Sequence, residues 1–220
     1  MKTIAIVQAR LGSTRFPRKV LADLNGRPVL HHVVERASKI QGVDEVIVAC
    51  PMCDQEPLSQ SLRTLDTFRL AFPPVPDSDV LGRYYHVAKE WKADTIVRIT
   101  ADCPLICPDL AEIVLRLYAF DGAYARVPSD LYIDGLDVEV MSMAELENSH
   151  AYDTDTESRE HVTLVILQRR GLKPAHRLLP RLSIDTVGDL KRVAAVMART
   201  CDAVNYRAVR EASASVWWTL

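Results

Sequence analysis

The chain has 220 residues, 27 of them basic and 29 acidic, for a formal charge of −2; at roughly 150 residues per domain this is one large domain, able to bury about 70% of its unfolded surface without staples. A hydrophobic fraction of 48% and a charged fraction of 25% exclude disorder, collagen-like repeats and coiled coil. The even charge balance also excludes a nucleic-acid or anionic-membrane surface built on bulk charge, so any anion site must be local.

Thr3 to Gln8 is a short apolar run that reads as a strand buried on both faces. It meets Gln8 and Arg10 too soon for a signal peptide, and no later stretch reaches the ~18 apolar residues of a membrane span. A loop of small and basic residues follows. Pro28 then opens a helix with Val29, Leu30, Val33, Val34 and Ala37 at helical spacing, and Glu45 to Ala49 is the next strand. This order is the βαβ pattern of a parallel sheet with helices on its faces. After a proline-dotted loop at Phe72 to Pro76, Asp79 caps a helix bearing Leu81, Tyr84, Ala88 and Trp91, and Thr95 to Ile99 is a strand. Pro108 and Asp109 start another helix. Leu136 to Met141 alternates apolar and acidic residues as a strand, with Asp137 and Glu139 on its polar face, and Ser142 with Glu145 forms a capping box. Arg159, Glu160 and His161 crowd at an expected helix start. Leu182 to Ile184 reads as a short strand, Thr186 caps a further helix, and the last residues show no period.

Five cysteines, an odd count without an export signal, point to reduced thiols and a cytoplasmic location. Cys50-x-x-Cys53 lacks a second pair at finger-like spacing and is not read as a zinc site. A single α/β domain over 1–220 is expected.

In open parallel sheets ligands bind beyond the carboxyl ends of the strands. After the first strand, Gln8 to Lys19 packs Arg10, Arg15, Arg18 and Lys19 with Gly12, Ser13 and Thr14 into one loop. Small residues let backbone N–H groups approach a polyphosphate while cations neutralise its oxygens. The loop matches neither the Walker nor the G-x-G-x-x-G order. Asp102 and Asp185 stand at the ends of two later strands; either alone could serve as a turn former or cap, but two carboxylates beside a polyphosphate site are what Mg²⁺ takes.

The run Gln8-Ala9-Arg10-Leu11-Gly12-Ser13-Thr14-Arg15-Phe16-Pro17-Arg18-Lys19-Val20-Leu21 resembles the N-terminal signature of the cytidylyltransferases that activate acidic sugars, the acylneuraminate and 3-deoxy-manno-octulosonate enzymes. The resemblance is closer to the spore-coat-polysaccharide branch: Asp79 to Tyr85, Arg98 to Ile106, Gly135 to Val140 and Arg159 to Thr163 match its blocks in order. It implies a Rossmann-like nucleotide-diphospho-sugar transferase (GT-A-like) fold, with a mostly parallel sheet and helices on both faces. It implies CMP transfer from CTP to a sugar acid with release of pyrophosphate, for surface polysaccharide, and a homodimer. By resemblance, Arg10, Ser13, Arg15 and Lys19 hold the phosphates, Gln8 and Arg83 lie near the nucleoside, and Asp102 with Asp185 binds Mg²⁺. Arg10, Lys19 and Asp102 are the expected catalytic groups, and Asp137, Glu139, Arg159 and His161 the remaining substrate contacts. Arg126, Arg177 and Arg181 are candidates for the acceptor carboxylate. Arg18 stands where the family commonly has Gly, which leaves the loop geometry open. Two alternatives stay open: nucleotidyl transfer to another acceptor, and a non-catalytic nucleotide-binding homologue.

Overall fold

The computed structural model describes residues 1–127, 133–136, 138–172, 181–200 and 206–217. Its centre is a six-stranded sheet of β1 (Thr3–Gln8), β4 (Glu45–Ala49), β5 (Arg69–Ala71), β6 (Thr95–Thr100), β7 (Tyr124–Arg126) and β8 (Glu139–Ser142), in the order β5-β4-β1-β6-β8-β7. β5, β4, β1 and β6 are mutually parallel; β8 runs antiparallel to both β6 and β7. The expected mostly parallel α/β sheet is therefore present. A two-stranded hairpin of β2 (Asp23–Leu24) and β3 (Arg27–Pro28) turns through Asn25 and Gly26, both at positive φ, the turn that Asn-Gly favours.

Alternation along the central strands divides the core in two. Ala5, Val7, Val48, Val97 and Ile99 point to the side covered by α1 (Val29–Ala37), α2 (Gln55–Leu62), α4 (Pro108–Asp121), α8 (Val187–Thr200) and α9 (Tyr206–Trp217). Ile4, Ile6, Ile47 and Ile96 point to the other side, against α3 (Val80–Glu90), α5 (Met143–Tyr152) and α7 (Leu164–Arg169). With both faces covered, β1 and β4 read as continuous apolar runs. The caps foreseen at Asp79, Ser142 and Thr186 accept from the amides of Gly82, Glu145 and Asp189.

Four segments depart from the sequence expectation. β8 begins at Glu139, not Leu136: Gly135 sits at φ 97 with its Cα against the Leu182–Ser183 backbone, and the Leu136 carbonyl accepts from Cys107 rather than from a strand. Leu182 to Ile184 forms no strand, because the Leu182 and Ile184 amides bond the Asp134 and Asp102 carbonyls, which belong to loops. Arg159 and His161 lie in the last turn of α6 (Thr156–His161), which Asp155 caps, so they end that helix. α9 forms where no period was read; its inward face of Val209, Ala212, Ser213 and Val216 includes a Ser and a small Ala, which dilute the apolar signal.

Candidate active site

The chain crosses to one face of the sheet between β1 and β4 and to the other before β6, so the switch of winding falls between β1 and β6. The carboxyl ends of these strands, Gln8 and Thr100, are register partners, and a cavity of about 860 Å³ opens beyond them. Gln8, Arg10, Ser13, Arg15, Lys19, Asp102, Glu139, His161 and Asp185 all line it. Residues up to 177 positions apart in the chain thus meet in one cleft.

The basic loop after β1 is tied at its base. The Leu11 amide donates to the buried Asp54 carboxylate at 2.8 Å, and the Leu11 carbonyl accepts from Ser13 and Arg18 at 2.9 and 3.0 Å. Arg18 adopts φ 56, ψ 26, the left-handed conformation glycine takes without cost. Arg at this position therefore holds the loop at the expense of backbone strain. The Arg18 side chain is exposed and outside the cavity wall. A 3₁₀ turn over Lys19–Leu21 follows and aims Lys19 inward.

Lys19 Nζ lies 2.6 Å from Asp102 Oδ2 and 2.9 Å from Asp185 Oδ1. Asp185 also meets Arg15 Nη2 at 3.1 Å and bonds Arg181, which reaches Asp134 at 3.2 Å. Burial alone would raise the Asp102 carboxyl's pKa, but the Lys19 ammonium and the Thr100 hydroxyl hold it below the ordinary carboxylate range. Two carboxylates already converging on one cationic atom fit the donor set of Mg²⁺, which uses one or two carboxylates and completes its shell with phosphate and water oxygens. Among the described residues no cluster of three or more His, Cys, Asp or Glu forms a self-sufficient metal cage.

Another part of the wall is a row across three strands. Glu139 of β8 stands in register between Arg98 of β6 and Arg126 of β7, and all three line the cavity. Glu139 accepts from Arg98 Nη1 at 2.7 Å, from the Thr163 hydroxyl at 3.1 Å and from Tyr124. Burial and the adjacent carboxylate push the Tyr124 phenol up, so it stays a neutral donor. Two guanidiniums flanking one carboxylate leave the row with net positive charge. His161 and Thr163 project here from either side of Val162, whose φ 63 and ψ −53 are strained for a β-branched residue.

Two expected contacts are not in the cavity wall. Arg83 is completely buried beside Cys50 and Asp77; it donates Nη2 to the Asp77 carbonyl at 2.9 Å, while Nε and Nη1 have no hydrogen-bond partner. Arg159 forks onto the Asp79 carboxylate at 2.9–3.0 Å and donates to the Asp153 carbonyl, joining the α6 end to the α3 cap. Its role here is structural. Asp137 lies outside the described residues, as does Arg177. Arg98, Asp134 and Glu157 line the cavity without having been singled out, and Glu160, noted beside His161, lines it too; for Arg98 the available signal was a charge in the middle of a central parallel strand, a position that is normally apolar.

The model of the family described as cytidylyltransferase matches residues 4–185. The chain belongs to the cytidylyltransferase family. It is thus a nucleotidyltransferase, and CTP is the nucleotide of its class. An uncharacterised protein of Methanocaldococcus jannaschii is 34% identical over 204 residues, covering 87% of this chain and 81% of that protein. The 3-deoxy-manno-octulosonate cytidylyltransferase of Geobacter metallireducens is 38% identical over 112 residues, covering 51% of this chain and 42% of its own length, so the match spans less than half of that relative. Among solved structures, a cytidylyltransferase from Leptospira borgpetersenii superposes with a TM-score of 0.80 at 23% identity, covering 90% of this chain and 87% of the other. A CMP:2-keto-3-deoxy-manno-octonic acid synthetase complexed with CTP gives 0.67 at 21% identity, covering 90% and 99%. These two likenesses establish the shared fold. No helix among the described residues is long and apolar enough to cross a membrane.

Proposed function

We propose that this cytidylyltransferase moves CMP from CTP to a hydroxyl of a sugar acid, releasing pyrophosphate in a Mg²⁺-dependent reaction that serves surface-polysaccharide synthesis. The observation that carries the reading is the meeting, in one cavity, of the Arg10 to Lys19 loop, the Asp102–Asp185 pair and the Arg98–Glu139–Arg126 row. Relatives named for 3-deoxy-manno-octulosonate and its 8-amino counterpart support a sugar acid as acceptor.

In this reading Arg10, Ser13, Arg15 and Lys19 bind the triphosphate and neutralise the charge that grows as the bond between the α-phosphorus and the bridging oxygen breaks. Asp102 and Asp185 would hold Mg²⁺, which when bound supplies further charge neutralisation at the phosphates. The acceptor carboxylate binds Arg126 and Arg98, with Glu139 fixing the spacing of the two guanidiniums, so that the attacking hydroxyl is aligned with the α-phosphorus. The acceptor oxygen forms the new bond, pyrophosphate leaves, and the hydroxyl proton passes to solvent. The homodimer implied by the resemblance and the cytoplasmic location read from the cysteines complete the proposal; light scattering tests the former.

Pyrophosphate release is measured with each of the four nucleoside triphosphates against a panel of sugar acids and their neutral sugars. Release only from CTP with an acid is expected. Arg126→Met should raise the acceptor KM at least tenfold and leave the CTP KM unchanged. A preference for another triphosphate, equal use of neutral sugars, or failure to bind CTP overturns the proposal.

A further inference from the structure

We propose that Lys19 is the resident cation of the aspartate pair, so that the site takes a divalent ion as a chelate with the nucleoside triphosphate and not as the free ion. The inference rests on the CTP reading above and specifies the form in which the nucleotide enters. Lys19 holds Asp102 and Asp185 at once, while Arg15 and Arg181 also contact Asp185. With Asp134, which Arg181 also holds, three cationic side chains therefore neutralise three carboxylates. A free dication meets no net negative charge there, and to bind it must displace an ammonium from two short charge-assisted bonds.

A triphosphate changes the balance. Arg10, Arg15 and Lys19 stand on one loop, and each is engaged by a carboxylate within the cavity: Arg10 by Glu160 at 2.7 Å, Arg15 and Lys19 by Asp185. Phosphate oxygens arriving at the loop compete for these cations, and the ion travelling with them takes over Asp102 and Asp185. Asp102, Asp185 and the three loop cations each keep a counter-ion on both sides of this exchange, and Glu160, whose side chain is exposed, is released to water, so no bare charge is left buried in the cleft. Because binding linkage is reciprocal, metal must tighten nucleotide by the factor with which nucleotide tightens metal.

Free Mn²⁺, followed by its electron paramagnetic resonance signal, is titrated into wild-type protein and into Lys19→Gln, Lys19→Met and Lys19→Gln combined with Asp102→Asn, all without nucleotide. Each single Lys19 variant is expected to bind Mn²⁺ at least tenfold more tightly than wild type, and the double variant to lose that gain. In wild type, calorimetry should show CTP binding tightened by roughly 5–150-fold when Mn²⁺ is present. Binding of free Mn²⁺ to wild type as tight as to the variants overturns the inference, as does CTP affinity indifferent to Mn²⁺. Two different Lys19 replacements are used so that the comparison with wild type stands if one of them fails to fold. Failure of CTP to bind under any condition sinks the cytidylyl-transfer reading instead, and the Mn²⁺ titrations without nucleotide still judge Lys19.

Discussion

Gly135 lies at φ 97, and a Cβ built on it would stand 2.6 Å from both Leu182 C and Ser183 N, closer than real Cβ atoms approach backbone. Favourable carbon contacts begin near 3.5 Å, so in Gly135→Ala one of the two chain segments must retreat by about an ångström. Backbone strain at positive φ costs about 1–2 kcal/mol and forcing an extra methyl into a packed interior about 1–3 kcal/mol, so the variant should lose roughly 2–5 kcal/mol, lowering Tm by about 5–15 °C for a chain of this size. Gly122→Ala isolates the two effects: Gly122 has φ 75 at the end of α4, with nothing within 4 Å of its Cβ position, and should lose only the strain. The displaced segment leads within two residues to Asp185, so Gly135→Ala should also weaken Mn²⁺-supported CTP binding at least tenfold, whereas Gly122→Ala should not. Urea denaturation and fluorescent-nucleotide titration read the two effects separately. Equal stability losses in both variants, or unchanged nucleotide affinity in Gly135→Ala, would refute the claim that this glycine sets the position of the Asp185 segment.

Arg18→Gly should stabilise the protein by about 0.5–1 kcal/mol, because release of left-handed strain exceeds the added unfolded-chain entropy; a loss of stability in urea melts would show that the Arg18 side chain is required where it lies. Asp79→Ala removes the α3 cap and leaves the largely buried Arg159 fork without its carboxylate, for a loss of about 2–4 kcal/mol, measured in the same melts. The pH dependence has two parts. The Asp79 and Asp189 carboxyls are held below their ordinary values, burial opposing and their Arg159 and Arg192 partners prevailing, so the unfolded chain binds more protons as pH falls below about 4 and stability drops there. Burial lowers the His32 pKa from 6.5, so its contribution is lost as pH falls through 6.5, and His32→Asn should flatten that part of the stability–pH curve while leaving the acid limb.

The α/β class, the parallel strands β1, β4 and β6, three helix caps and the basic loop with Asp102 beyond β6 were all legible from the chain alone; Asp185 was singled out as well, although the segment before it joins no ladder. They depend on periodicity, on capping chemistry within three residues, and on the rule that strand ends collect ligands. The chain order also carried Lys19, Asp102 and Asp185 into one hypothesis, although they are up to 166 positions apart.

Other features required packing. Arg159 and His161 are two residues apart, yet one forks onto Asp79 and the other faces the cavity, because the last turn of α6 points them to different sides of the helix. Arg83 turns into the core where local sequence shows only a cation on an amphipathic helix. The Arg98–Glu139–Arg126 row exists only through the register of three strands, the middle one antiparallel to its two neighbours in a sheet otherwise read as parallel. Sequence by itself determined which residues carry charge and which short stretches become strands or helices, since those preferences are local. Tertiary structure alone decided which cation meets which carboxylate, because pairing depends on the register and close backbone approach of segments far apart in the chain.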